Sequence, residues 1–217
     1  MELNENIPLL SHEEIRVLGC LIEKSKTTPD YYPLSLNSLT AACNQKSSRN
    51  PVVEYDEPTV LNALSRLKAQ SLVATAVGGG TRTIKYKHNF VTVFPSTDAE
   101  LAILCLLFLR GAQTAGELNT NSNRLHEFSS IESVLECLDN LSSPDKLFVK
   151  QVSKKSGQKE MRFTHCFSSQ QINEEENEII ESKNKPSIQE LEMRINDLEK
   201  ELYELKVIVE KINTALF

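Results

Sequence analysis

The sequence predicts an α+β fold, mainly α, in which two tandem copies of one small domain precede a C-terminal coiled-coil helix. Three observations point there: an internal repeat, the same order of capping and turn signals in each repeat, and a strict heptad in the last thirty residues. In the repeat, Glu14 to Ile22 matches Glu100 to Phe108, and the Val60-Leu61-x-x-Leu64-x-x-Leu67 stripe matches Val134-Leu135-x-x-Leu138-x-x-Leu141. Each copy then closes on an aromatic-x-His-x-Phe, at Tyr86 to Phe90 and again at Phe163 to Phe167. The expected divisions are residues 1–95, residues 96–168, an acidic linker over 169–186 and a coiled-coil helix over 187–217.

Taken in order, Ser11 and Glu14 make a capping box that opens a helix with apolar positions at Ile15, Leu18 and Ile22. Ser35 caps a short helix from Leu36 to Cys43, and a polar loop runs from Asn44 to Asn50. Asp56 caps a third helix, with Pro58 in its first turn, that reaches about Gln70 and carries Val60, Leu61, Leu64 and Leu67 inward. Leu72 to Val77, Gly78-Gly79-Gly80 and Thr81 to Tyr86 read as a β-hairpin. The second copy repeats the series: a helix over Asp98–Arg110, a short one opened by Thr114 and Glu117, a third opened by Ser129 and Glu132, and a hairpin of Leu147–Val152 with Met161–Phe167. After Pro186, Ile188, Leu191, Ile195, Leu198, Leu202, Leu205, Val209, Ile212 and Leu216 alternate spacings of three and four, the a/d pattern expected of a homodimeric coil and favouring the parallel form, against the alternative of a lone amphipathic helix folded back on its own domains.

Helix, helix-turn-helix and a two-stranded wing is the winged-helix order, here twice over. The segments TTPDYYPLSLN (27–37), ACNQKSSRNPV (42–52) and LRGAQTAGEL (109–118) resemble the YceH family, a bacterial group of tandem winged-helix proteins of unassigned function. The resemblance spans about residues 10–168; it implies the fold and supplies no catalytic or ligand residues to transfer.

Enzyme motifs are missing: no G-x-S-x-G, H-E-x-x-H or phosphate-loop pattern occurs, and the Gly78–Gly80 run leads into a strand, where a phosphate loop would lead into a helix. No cofactor or metal is expected. The five cysteines include no C-x-x-C pair and read as small buried residues in a reducing cytoplasm. His88 and His165 occupy equivalent places in the copies, which suggests a packing role. The longest apolar run, Leu101 to Leu109, is far shorter than the ~20 residues of a membrane helix, and the N-terminus carries acids where a signal peptide would carry Lys or Arg.

The net charge of −6 argues at first against a nucleic-acid partner. By region the deficit lies in the tail, because residues 1–168 carry as many basic as acidic side chains. Residues 58–95 hold Arg66, Lys68, Arg82, Lys85 and Lys87 and no acid. On the third helix Thr59, Asn62, Ser65, Arg66 and Gln70 are expected outward, where Asn and Arg suit adenine and guanine edges in a major groove. Arg82, Lys85 and Lys87 on the wing, with Lys46 and Arg49 in the polar loop, are candidate phosphate contacts. In the second copy Glu132, Glu136 and Asp139 oppose groove insertion, while Lys150, Lys154, Lys155 and Lys159 make a basic second wing. The expectation is a cytoplasmic, non-enzymatic DNA-binding regulator that dimerises through its tail, the second copy either touching DNA through its wing or binding a protein partner. The rival is a protein-interaction scaffold that never touches DNA.

Overall fold

The computed structural model describes residues 7–76, 83–152 and 160–168, all within one compact unit. The proposed coiled-coil seam, from Ile188 to Leu216, lies outside the described residues. What is described is an α+β arrangement: seven helices and two small antiparallel sheets.

The first copy holds α1 (His12–Thr27), β1 (Leu34–Ser35), α2 (Leu36–Cys43), α3 (Glu57–Ala69), β2 (Val73–Ala76) and β3 (Lys85–His88). The short α4 (Phe90–Val93) leads into the second copy, which holds α5 (Asp98–Arg110), β4 (Gln113–Thr114), α6 (Ala115–Ser122), α7 (Ile131–Leu141), β5 (Val149–Val152) and β6 (Arg162–His165). Local chemistry sets the boundaries. The Ser11 hydroxyl accepts from the Glu14 amide at 3.3 Å and the Glu14 carboxylate accepts from the Ser11 amide at 2.7 Å, closing the expected box. Thr97 with Glu100, and Thr114 with Glu117, do the same for α5 and α6. α7 begins one residue later than expected: Ser130 is its cap, and its partner is Ser133, whose short hydroxyl does the work assigned to Glu132.

Each sheet has three strands, in the orders β1-β3-β2 and β4-β6-β5. The two-residue strands β1 and β4 are too short to carry an alternating pattern, so the sequence shows no sign of them. They pair Leu34 with Tyr86 and Gln113 with Phe163. In equivalent registers Val73 faces His88 and Val149 faces His165. The described return strand of the first hairpin starts at Lys85, later than Thr81.

One apolar core runs through both copies. Residues Glu14 to Ile22 of α1 and Glu100 to Leu109 of α5 are buried around the whole helix circumference, the signature of a helix with no solvent face. The two pack tightly at Gly19, whose carbonyl accepts a hydrogen bond from the Cys105 thiol at 3.5 Å. Gly19 and Cys105 are equivalent positions of the repeat. Phe167 packs on Phe90, Phe94, Phe108 and Phe148 at ring-centroid distances of 5.3 to 5.6 Å. This aromatic cluster joins the end of the second copy to the connection between the two.

Candidate functional site

The α3 helix is fixed by its inner face. Val60, Ala63, Leu64 and Leu67 are buried, and the Asp56 carboxylate accepts from the Thr59 amide at 2.9 Å to cap the start. Leu61 is 43% exposed, against the expectation that it faced inward. The reason is geometric: it lies about 100° round the helix from Val60, on the edge of the stripe, and Ala63 fills the inner position. Asn62, Ser65, Arg66 and Lys68 are exposed, whereas Thr59 is half-buried. Gln70 is also corrected: it is half-buried and its Oε1 is enclosed without a hydrogen-bond partner. It caps the C-terminus of α3, with its amide oxygen turned away from solvent.

On the sheet beside α3, Tyr86 points to the core, so Lys85 and Lys87 lie together on the opposite face. Lys46 is exposed in the loop after α2. Among the described residues Lys46, Arg66, Lys68, Lys85 and Lys87 form no ion pair, whereas Lys24, Lys26, Lys146 and Arg162 do. Arg82 at the hairpin tip lies outside the described residues.

Arg49 is not a phosphate ligand in this fold. Its side chain is fully buried, paired with Glu23 at 2.6 Å, and donates to the Ala42 carbonyl at 3.1 Å and to Gln45 Oε1 at 2.9 Å. Burial disfavours its charge, but the Glu23 bonds outweigh that and hold the guanidinium charged. Burial likewise opposes the charge on Glu23, and the Arg49 and Lys24 contacts bring its carboxyl below the ordinary value. A polar loop in the sequence does not reveal that one of its arginines turns inward to hold the loop closed.

The second copy presents a different face. On α7 Val134, Cys137, Leu138 and Leu141 are buried; Ile131 is 45% exposed, and Leu135, part of the repeated stripe expected inside, is 40% exposed. Glu132, Glu136 and Asp139 are exposed beside them. Lys150 is half-buried in β5, and Lys154, Lys155 and Lys159 lie outside the described residues.

Both equivalent histidines are structural. His165 is 3% exposed, and burial pushes its pKa down to about 3. His88 Nε2 meets the Ser25 hydroxyl at 3.2 Å, and burial lowers its pKa to about 4. Among the described residues no cluster of three His, Cys, Asp or Glu side chains could hold a metal ion, and no helix is long and apolar enough to cross a membrane.

The family model for a protein of unknown function, DUF480, matches residues 10–158. A UPF0502 protein of Shewanella piezotolerans is 44% identical over 209 residues, covering 93% of this chain and 96% of its own length. The Shewanella oneidensis UPF0502 protein is 43% identical, with 95% and 99% covered, so the likeness runs on beyond Ser168. One from Shewanella baltica reaches 50% over 163 residues, 73% of each chain. The chain belongs to the DUF480/UPF0502 family, in agreement with its resemblance to YceH-type proteins. None of these relatives carries an enzymatic name.

Proposed function

We propose that this protein is a non-enzymatic, cytoplasmic DNA-binding regulator whose two copies are winged helices, with α3 of the first copy entering a major groove. β2 and β3 form the wing, and the heptad tail pairs two chains. The observation that carries the reading is the group of unpaired cations Arg66, Lys68, Lys85 and Lys87, on a stretch of α3 and sheet with no acid from Pro58 through Thr97, joined by Lys46 in the loop after α2. Asn62 and Arg66 lie on the exposed face, where they suit base edges, and Lys85 and Lys87 suit phosphates. With Arg49 withdrawn and Arg82 kept, four candidate phosphate contacts per protomer remain: Lys46, Arg82, Lys85 and Lys87. Counterion release at about 0.9 per phosphate then predicts a log–log salt slope of about −3.6.

Fluorescence anisotropy with mixed genomic duplexes tests this. Binding that weakens steeply with salt, and a slope about 0.9 shallower for Lys87→Ala, are the expected results. Undetectable binding at about 50–100 mM salt, or affinity unchanged by Arg66→Ala with Lys87→Ala, overturns it.

The second copy favours a protein partner. Acids at Glu132, Glu136 and Asp139 repel phosphate, and exposed Ile131 and Leu135 between them suit an apolar, basic surface. If DNA binding fails, a stoichiometric complex abolished by Leu135→Asp identifies the scaffold reading. The dimer is read by light scattering, with a chain ending at Ser168 expected to be monomeric.

A further inference from the structure

The third helices of the two copies expose the same positions and carry opposite charge there. On α3 the solvent face holds Glu57, Pro58, Leu61, Asn62, Ser65 and Arg66, and on α7 the equivalent places hold Ile131, Glu132, Leu135, Glu136, Asp139 and Asn140. Leu61 and Leu135 are one position of the repeat, open to solvent in both copies. Around Leu135 stand three acids; around Leu61 stand Arg66 and Lys68, with Lys85 and Lys87 on the sheet beside them. Glu57, the one acid within α3, lies nine residues before Arg66, about 13 Å along the axis at 1.5 Å per residue. That exceeds the ~8–10 Å over which exposed charges act at physiological salt.

Among the described residues Arg66, Lys68, Glu132, Glu136 and Asp139 form no ion pair. The α7 face calls for an apolar centre bordered by cations, and the α3 face is such a surface. Both faces are open to water in the same molecule, so they do not cover each other within it. The match is made between molecules.

We propose that the α7 face of one molecule docks on the α3 face of another molecule of this same chain. Ile131 and Leu135 then cover Leu61, while Glu132, Glu136 and Asp139 meet Arg66 and Lys68. This rests on the reading of α7 as a protein-binding face and names its partner. Single exposed ion pairs contribute little, so the apolar cover supplies the hold and the charges select which face meets which. The contact is head-to-tail: it leaves one α3 face and one α7 face open, and the pair either closes by making the contact twice or passes it on to a third molecule. The α3 face is also the one proposed to enter a groove, so a docked molecule and a bound duplex exclude each other. The acids of α7 take the place that phosphates would fill.

The test is light scattering on the full chain at about 100 μM, in about 50 mM and about 500 mM salt. The mean mass is expected to be at least about twofold higher at the lower salt. Arg66→Glu with Lys68→Glu, and separately Glu132→Lys with Glu136→Lys, are each expected to abolish that rise. An equimolar mixture of the two variants regains it, because one still presents the acidic α7 and the other the basic α3. Leu135→Asn, which leaves every charge in place, is expected to weaken the association several-fold. A mean mass equal at both salts, a rise that survives in either charge-reversed variant alone, or a mixture that stays at the mass of its components overturns the proposal. A different protein held stoichiometrically and lost with Leu135→Asp, beside a mass indifferent to salt, overturns this partner and leaves the reading of α7 standing. Association without DNA binding keeps this contact and removes the groove.

Discussion

The approach of α1 to α5 at Gly19 makes a prediction whose sign the distances decide. A methyl at Gly19 would sit 2.9 Å from Leu109 Cδ2, 3.1 Å from Leu109 Cγ and 3.1 Å from Phe108 Cβ. Ordinary carbon contacts are about 3.5–4.0 Å. The Leu109 methyl can swing aside, but Phe108 Cβ is fixed to its backbone, so α5 must retreat by a few tenths of an ångström. Overpacking of this kind costs about 1–3 kcal/mol. Against it stands the helix preference of Ala over Gly, about 1 kcal/mol. Gly19→Ala is therefore expected to destabilise by about 0–2 kcal/mol, and Gly19→Val, with two further methyls aimed at the same atoms, by more than the Ala variant. Urea unfolding followed by circular dichroism reads this: at an m-value of about 1–3 kcal/mol per molar, each kcal/mol lowers the midpoint by about 0.3–1 M. A raised midpoint for Gly19→Ala would refute the reasoning, because it is what a helix position free of a neighbour gives.

Two further outcomes follow from the buried polar groups. Arg49→Met leaves the partly exposed Glu23 with Lys24 as its remaining partner and frees the Ala42 carbonyl, so a loss of about 1–3 kcal/mol in urea unfolding is expected, with Arg49→Lys less damaging; a Met variant as stable as the parent would contradict the pairing. The histidines set an acid limit: their folded pKa values, about 4 for His88 and about 3 for His165, lie below the ordinary 6.5, so the unfolded chain takes up protons that the folded chain refuses. Stability is thus full above about pH 6.5 and falls as pH drops towards 4, by a few kcal/mol, and His165→Gln is expected to flatten part of that slope. An urea midpoint unchanged from pH 7 to pH 5 speaks against it.

Much of the local structure is legible in the chain because capping is local chemistry. Ser11 with Glu14, Thr97, Thr114 and Asp56 act within three residues, and α2 and α5 begin and end where their signals stand. The unbroken apolar run Leu101 to Leu109 also says something that a stripe would not: a helix without a polar face has to lie inside. What the sequence hides depends on partners distant in the chain. β1 and β4 exist only because β3 and β6 pass beside them. Arg49 looks like any loop cation until Glu23, twenty-six residues earlier, reaches it. Leu61 and Leu135 differ from the stripe expectation because a strict helical wheel puts Ala63 and Cys137 inside and those leucines at the edge. Of the candidate site, Asn62, Ser65, Arg66, Lys46 and Lys87 stand exposed as the pattern suggests, and Arg49 and Gln70 do not.

The meeting of Gly19 with Cys105, like position against like, has the form of the interface in a two-fold dimer, except that both halves belong to one polypeptide. In a dimer of identical chains any substitution appears twice, so the two outer surfaces must stay the same. Fusion removes that constraint. Each half can change its solvent face while the shared seam keeps both halves anchored, and here one third helix carries Arg66 and Lys68 where the other carries Glu132, Glu136 and Asp139. The seam is also what forbids separation: a cut at residue 95 would strip α5 from α1 and open to water a helix that has no side made for it.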